Sequence, residues 1–163
     1  MGHLQKRGTD RWAARYIDAD GRERLKSFRR KTDAQDFLKT VEVDVLRGVY
    51  VDPQAGRITL AAYVEDWLTR QTSDPSTRVA TELRFRVHIL PGLGRQPLAA
   101  IKPSMVQAWI GGLERQQVAP TYIRVLLANL SSVLTAAVDD ERILRNPCAA
   151  SSVRAPKLET RKV

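Results

Sequence analysis

The sequence predicts an α+β fold: a small three-stranded antiparallel sheet with one helix, followed by an all-α unit of four helices. Residues 11–17 alternate at period two and run into a turn cluster, as half-buried strands do. From Thr59 the apolar period changes to that of a helix and stays so to about Ile143. Asp52-Pro53 and Ala55-Gly56 break the chain between the two patterns.

In the first unit Trp12, Ala14 and Tyr16 fall on one strand face, with Arg15 on the other beside Ala13 and Ile17. Asp18-Ala19-Asp20-Gly21 is a turn, with Gly21 free to take positive φ. Arg22 to Arg30 reads as the next strand, and Arg22, Arg24 and Lys26 share a parity, predicting a strongly basic face. Phe28 has the same parity, so either a bulge intervenes or Phe28 ends the strand. Leu4 to Arg7 adds a third short strand. Thr32-Asp33-Ala34-Gln35 matches a capping box opening a helix with the stripe Phe37, Leu38, Val41 and Val45, and Gly48 is placed to cap its end.

In the second unit the first helix carries Leu60, Tyr63, Val64, Trp67 and Leu68 and stops at Thr72-Ser73-Asp74-Pro75. The second runs from about Pro75 to Leu90, with Val79, Leu83, Val87 and Leu90 expected inward. The third spans about Pro103 to Gln116 on Val106, Trp109, Ile110 and Leu113. The fourth starts at Pro120, with Ile123, Leu127, Leu130, Leu134 and Ala137 inward. Lys102 and Ala119, ahead of the last two, are poor N-caps. The expected division is 1–50 for the sheet unit, 51–58 as linker, 59–150 for the helical unit and 151–163 as a basic tail.

The 163 residues carry 27 Lys and Arg against 18 acids, net +9, with a pI near 10.2. Residues 1–58 hold 13 cations and 9 acids, residues 59–150 hold 10 and 8, and residues 151–163 hold 4 and 1. The excess therefore sits in the first unit and the tail, and it favours a polyanion such as nucleic acid. A single cysteine, Cys148, excludes an internal disulfide and points to a reducing compartment. No signal core and no apolar run approaching a membrane span is evident, so the expectation is a cytoplasmic protein with no membrane partner. One cysteine with His3 and His88 builds no zinc constellation, and no phosphate-cradling glycine loop is present. No cofactor and no small-molecule substrate are expected.

The stretch Lys6-Arg7-Gly8, Arg11-Trp12, Ala14-Arg15-Tyr16, Asp20-Gly21-Arg22 and Phe28-Arg29 resembles the arm-type DNA-binding domain of phage and integrative-element tyrosine recombinases. Thr59-Leu60, Trp67-Leu68, His88-Ile89-Leu90-Pro91, Leu93-Gly94, Pro97-Leu98, Ile101, Val106-Gln107-Ala108-Trp109 and Arg145-Asn146-Pro147 resemble their core-binding domain. The resemblance covers nearly all of residues 6–150 and is specific in its order rather than in any single piece. It implies a SAM-like helical unit gripping core sites, a sheet laid on arm sites, and self-association on DNA in the intact protein. It also implies a following catalytic domain with arginines, a lysine, a His-x-x-Arg motif and a nucleophilic tyrosine. Lys6 and Pro91 stand three residues after the two histidines, so no His-x-x-Arg occurs in these residues. The expectation is a non-enzymatic fragment ending in the interdomain linker.

The expected DNA-binding residues of the sheet unit are Arg15, Arg22, Arg24 and Lys26 on one basic face, with Lys6, Arg7 and Arg11 nearby. In the helical unit they are Ser76, Thr77, Arg78 and Arg84 around the second helix and Thr121, Tyr122 and Arg124 at the start of the fourth, because helix N-termini with hydroxyls suit phosphate oxygens. Arg154, Lys157, Arg161 and Lys162 in the tail complete the set. Trp12, Trp67 and Trp109 read as core. Competing readings are a stand-alone regulator or recombination accessory protein built from the same modules, and a module whose basic face meets an acidic protein.

Overall fold

The computed structural model describes residues 2–18, 21–48 and 50–158. The chain divides into two compact units, Met1–Asp52 and Pro53–Val163.

In the first unit β1 (His3–Lys6), β2 (Trp12–Ile17) and β3 (Glu23–Phe28) form an antiparallel sheet in the order β1-β2-β3. β3 is shorter than the expected 22–30, and pairing runs unbroken from Ile17↔Glu23 to Trp12↔Phe28, so Phe28 ends the strand without a bulge. At the intervening turn Gly21 takes φ 76° and donates its N–H to Asp18 O at 3.0 Å, while Asp18 Oδ1 accepts from Arg22 N at 2.8 Å. Ala19 and Asp20 lie outside the described residues. Helix α1 (Lys31–Leu46) covers one sheet face: Ala34, Leu38 and Val41 meet Ala14 and Tyr16. Tyr50 closes this core, donating to the Tyr16 hydroxyl at 2.7 Å. The capping box is not used. The helix starts two residues early, with Arg30 at the N-cap and no side-chain cap, which places Thr32 inside the first turn. Its other end matches expectation, since Gly48 at φ 66° donates to Val45 O at 3.1 Å.

The second unit holds α2 (Leu60–Thr69), α3 (Pro75–Arg84), a π-helical turn (Phe85–Ile89), α4 (Leu90–Leu93), α5 (Pro103–Arg115) and α6 (Pro120–Asp139). Leu60, Tyr63 and Val64, then Val106, Trp109, Ile110 and Leu113, are buried as the 3.6 period predicts. The second-helix stripe is corrected. Val79, Leu83 and Val87 are 65%, 47% and 49% exposed, and the inward residues are Phe85, Ile89 and Leu93. In α6 the inward set gains Leu126 and Val133, and Leu127 is only half-buried. This 20-residue helix is long and apolar enough by composition to cross a bilayer, which corrects the expectation that no segment approached that size. Here Leu126, Leu130, Val133 and Leu134 are fully buried in the unit's own core.

Residues on either side of the helices are packed as well. Leu98 N donates to Ile58 O at 2.9 Å, and a Cβ on Gly56 would stand 2.7 Å from Ala99 Cβ, so this glycine permits a close backbone approach. Asn146 Nδ2 donates to Ser131 O and Thr135 Oγ1, both at 3.0 Å, anchoring the chain after α6. Val153 packs on the core and Pro156 is buried, so the tail lies against the helical unit as far as Pro156.

Candidate nucleic-acid interface

The strand register decides which cations share a surface. Side chains directly opposite on paired strands point the same way. Lys26 faces Ala14 and Arg24 faces Tyr16, so both lie on the helix-covered side. Arg15 faces Leu25 and lies on the open side, paired with Glu23 at 3.1 Å. The expected single basic face of Arg15, Arg22, Arg24 and Lys26 is therefore not formed. Arg24 instead joins Asp18 at 2.9 Å and Asp52 at 3.0 Å. Those two carboxylates raise its pKa further above the ordinary arginine value. Lys26 Nζ sits 4.5 Å from the Phe37 ring centre and 5.5 Å from that of Phe28. The aliphatic stem of such a lysine covers apolar surface while its ammonium stays wet. Arg22 is exposed beside the turn, and Lys6, Arg7 and Arg11 are exposed at the other end of the sheet.

In the helical unit two groups of expected residues separate. At the start of α3, Asp74 Oδ1 accepts from Ser76 N at 3.0 Å and Thr77 N at 3.1 Å, and both hydroxyls donate to the same carboxylate. These bonds hold the Asp74 carboxyl well below the ordinary carboxylate range. The donors expected to receive phosphate here are already satisfied by an anion, and a second anion would meet like charge. Arg78 Nη2 donates to Gln71 O at 2.6 Å and closes the end of α2. Arg84 is half-buried on the last turn of α3.

The start of α6 differs. Ala119 and Lys102, at the N-caps of α6 and α5, offer no side-chain cap, as expected. Thr121 is exposed, and the half-buried Tyr122 ring meets His88 edge-on at 5.3 Å. Arg124 Nε donates to Pro156 O at 2.9 Å, and Arg154 N donates to Gln107 Oε1 at 2.7 Å. The tail is thereby laid on α5 and α6, bringing exposed Arg154 and Lys157 to the side of the unit that carries Arg124. Arg161 and Lys162 lie outside the described residues. Ser76 lies 12 residues before His88, about 18 Å along a helix, so the start of α3 stands well apart from the α6 group, whereas Arg84 lies only about 6 Å along the helix from His88. Sequence reasoning missed Asp74, whose cap was legible in Asp74-Pro75-Ser76-Thr77, and Gln107, which carries no local signal.

Residues 59–113 match the family model of the phage integrase N-terminal SAM-like domain. The chain is similar to phage integrases over most of its length. It is 28% identical over 157 residues to the integrase of Mycobacterium phage L5, which covers 90% of this chain and 42% of that protein. An integrase-like domain from Bacillus cereus matches with a TM-score of 0.58 at 22% identity, over 63% of this chain and 87% of that one. Lambda integrase, in a crystal structure of its dimer bound to a COC' core site, matches with a TM-score of 0.57 at 18% identity, over 96% of this chain and 46% of that one. The chain spans about two fifths of the length of the L5 integrase.

Proposed function

We propose that these residues bind duplex DNA as the non-catalytic, DNA-grasping part of a phage-type integrase in site-specific recombination. The sheet unit takes arm-type sites and the helical unit core-type sites. One observation carries the reading: the order of sheet unit and SAM-like unit is matched along 90% of the chain by an integrase. The exposed cations of α6 and its tail suit phosphate contacts, which fix register, while sequence would be read by a smaller set of base contacts. The tyrosines support a role in binding rather than strand cleavage. Tyr16 and Tyr50 are buried against each other, and burial with the Asp140 contact pushes Tyr63 up to about 12, which disfavours a nucleophilic phenolate. Self-association on DNA and action inside the host cell belong to the same proposal, in line with the lambda integrase dimer on its core site.

The test is selection of bound sequences from a random duplex library at about 0.15 M salt, where non-specific phosphate binding is weakened. Two unrelated motifs are expected, one weakened by Arg124→Ala with Lys157→Ala, the other unaffected. Recovery of a single motif would reject the two-site reading, and no enrichment would reject sequence-specific DNA binding.

A further inference from the structure

We propose that Gln107 and Arg124 are positioning residues for DNA: they seat residues 153–157 as a strap, and through it they set where Arg154 and Lys157 meet phosphates. This rests on the reading above that the helical unit binds duplex DNA. After the short turn at Pro147–Ala149, Val153 N donates to Ala150 O at 3.0 Å and the Val153 side chain packs on the core. Two ties follow. Gln107 Oε1, on α5, accepts from Arg154 N at 2.7 Å, and Arg124 Nε, on α6, donates to Pro156 O at 2.9 Å. Both ties hold main-chain atoms. They fix the path of the backbone and leave the side chains of Arg154 and Lys157 exposed. Arg154 carries the first tie and Lys157 follows the second.

Packing does little to hold this path. Of residues 151–157 only Pro156 is buried, and beside the strap an open hollow of about 440 Å³ lies between Gln107, Ala108, Gly111 and Ser152. A loose chain would have to be ordered at the moment of binding, and that loss of freedom opposes association. A seated chain has met that cost on folding. Arg124 spends one of its five donors on the strap. It is itself exposed, so its charge remains available to a phosphate as well. Gln107 is the decisive residue because it carries no charge. Each cation on a phosphate releases counterions and steepens the salt dependence of binding. Replacing a neutral residue leaves that dependence alone unless it displaces the cations.

The experiment uses the full chain. Gln107→Leu keeps the size and the helix propensity of the residue and removes the acceptor. Gln107→Ala is the second variant, and circular dichroism shows that each is folded. Amide exchange by NMR reads the strap without DNA. The Arg154 N–H should be protected in the parent and should exchange about tenfold faster or more in both variants. Fluorescence anisotropy with a mixed-sequence duplex at several salt concentrations reads the consequence. Loss of the acceptor should flatten the slope of log K against log salt by about 0.9 to 1.8, one or both contacts. Arg154→Ala/Lys157→Ala should flatten the parent's slope by about 1.8, and combining it with Gln107→Leu should leave the total loss at about 1.8. An Arg154 amide that exchanges freely in the parent overturns the proposal. So does an unchanged slope in Gln107→Leu, or a combined loss equal to the sum of the separate ones. Each of these leaves DNA binding standing. Failure of the parent to bind any duplex at about 0.05 M salt rejects the DNA reading and this proposal with it.

Discussion

Where α2 meets the end of α6, Asp140 Oδ2 accepts from the Tyr63 hydroxyl at 2.5 Å and from both Arg70 Nη atoms at 3.1 Å. Tyr63 is buried, whereas the Asp140 carboxylate remains more than a third exposed, so solvent screens part of the interaction. Tyr63→Phe keeps the ring and removes the donor. It should cost about 1.5 kcal/mol, the low end for a hydrogen bond to a charged group, and lower Tm by about 5 °C. The hydroxyl and Arg70 depress the Asp140 pKa. A depressed carboxyl contributes stability above its unfolded value and loses it as pH falls through the folded one. The raised phenol, about 12, contributes below its unfolded value of about 10 and loses that as pH climbs through 12. The gap between Tyr63→Phe and the parent in thermal melts should therefore be widest from pH 5 to 9 and narrow on both sides. A gap independent of pH would disprove this coupling. The sequence offered no hint of it, because its partners lie 70 and 77 residues apart. It shows equally little of the carboxylates that hold Arg24.

At the scale of elements, α5 was legible because it has one apolar stripe at helical spacing, whereas α6 is apolar on more than one side, so Leu126 and Val133 join its inward set and Leu127 is only half-buried. The second helix has two stripes, Val79-Leu83-Val87 and Phe85-Ile89-Leu93, and hydropathy alone does not rank them. The π-helical turn Phe85–Ile89 adds a residue to the turn and rotates the phase of the residues after it. Phe85 then meets Trp67 edge-on at 5.8 Å, and no residue of α3 is buried. Phe85→Ala should cost about 3–5 kcal/mol as a truncation in a closed core. Val79→Ser and Leu83→Ser should each stay within about 0.5 kcal/mol, as exposed substitutions do. Urea denaturation of the variants checks this, and a large loss for Val79→Ser with little for Phe85→Ala would restore the other stripe as the inward one. The sheet shows a related limit. Strand parity was legible, but the covered side was not, because Lys26 lies on aromatic rings and so occupies a face that polarity assigns to water.

For the whole molecule, the proposed function makes a quantitative claim that neither unit makes alone. Each unit has its own core, Ala14 to Tyr50 in the first and Leu60 to Ile143 in the second. Two binding units on one chain turn the second contact into an intramolecular event, and affinity for DNA carrying both sites can exceed either alone by about 10²- to 10⁴-fold. The phosphate contacts also add, so the slope of log K against log salt on a two-site duplex should approach the sum of the single-site slopes. Once selection has given the two motifs, the full chain can be titrated with duplexes carrying one, the other, or both at a series of spacings. The expected result is a spacing at which binding tightens at least a hundredfold and the slope is the sum. Lys157→Ala with Arg124→Ala should then reduce the two-site slope towards that of the arm site alone. If no spacing binds more tightly than the better single site, the units do not hold one DNA together. The chain would then behave as two independent binders, and a single grasp on arm and core would be wrong.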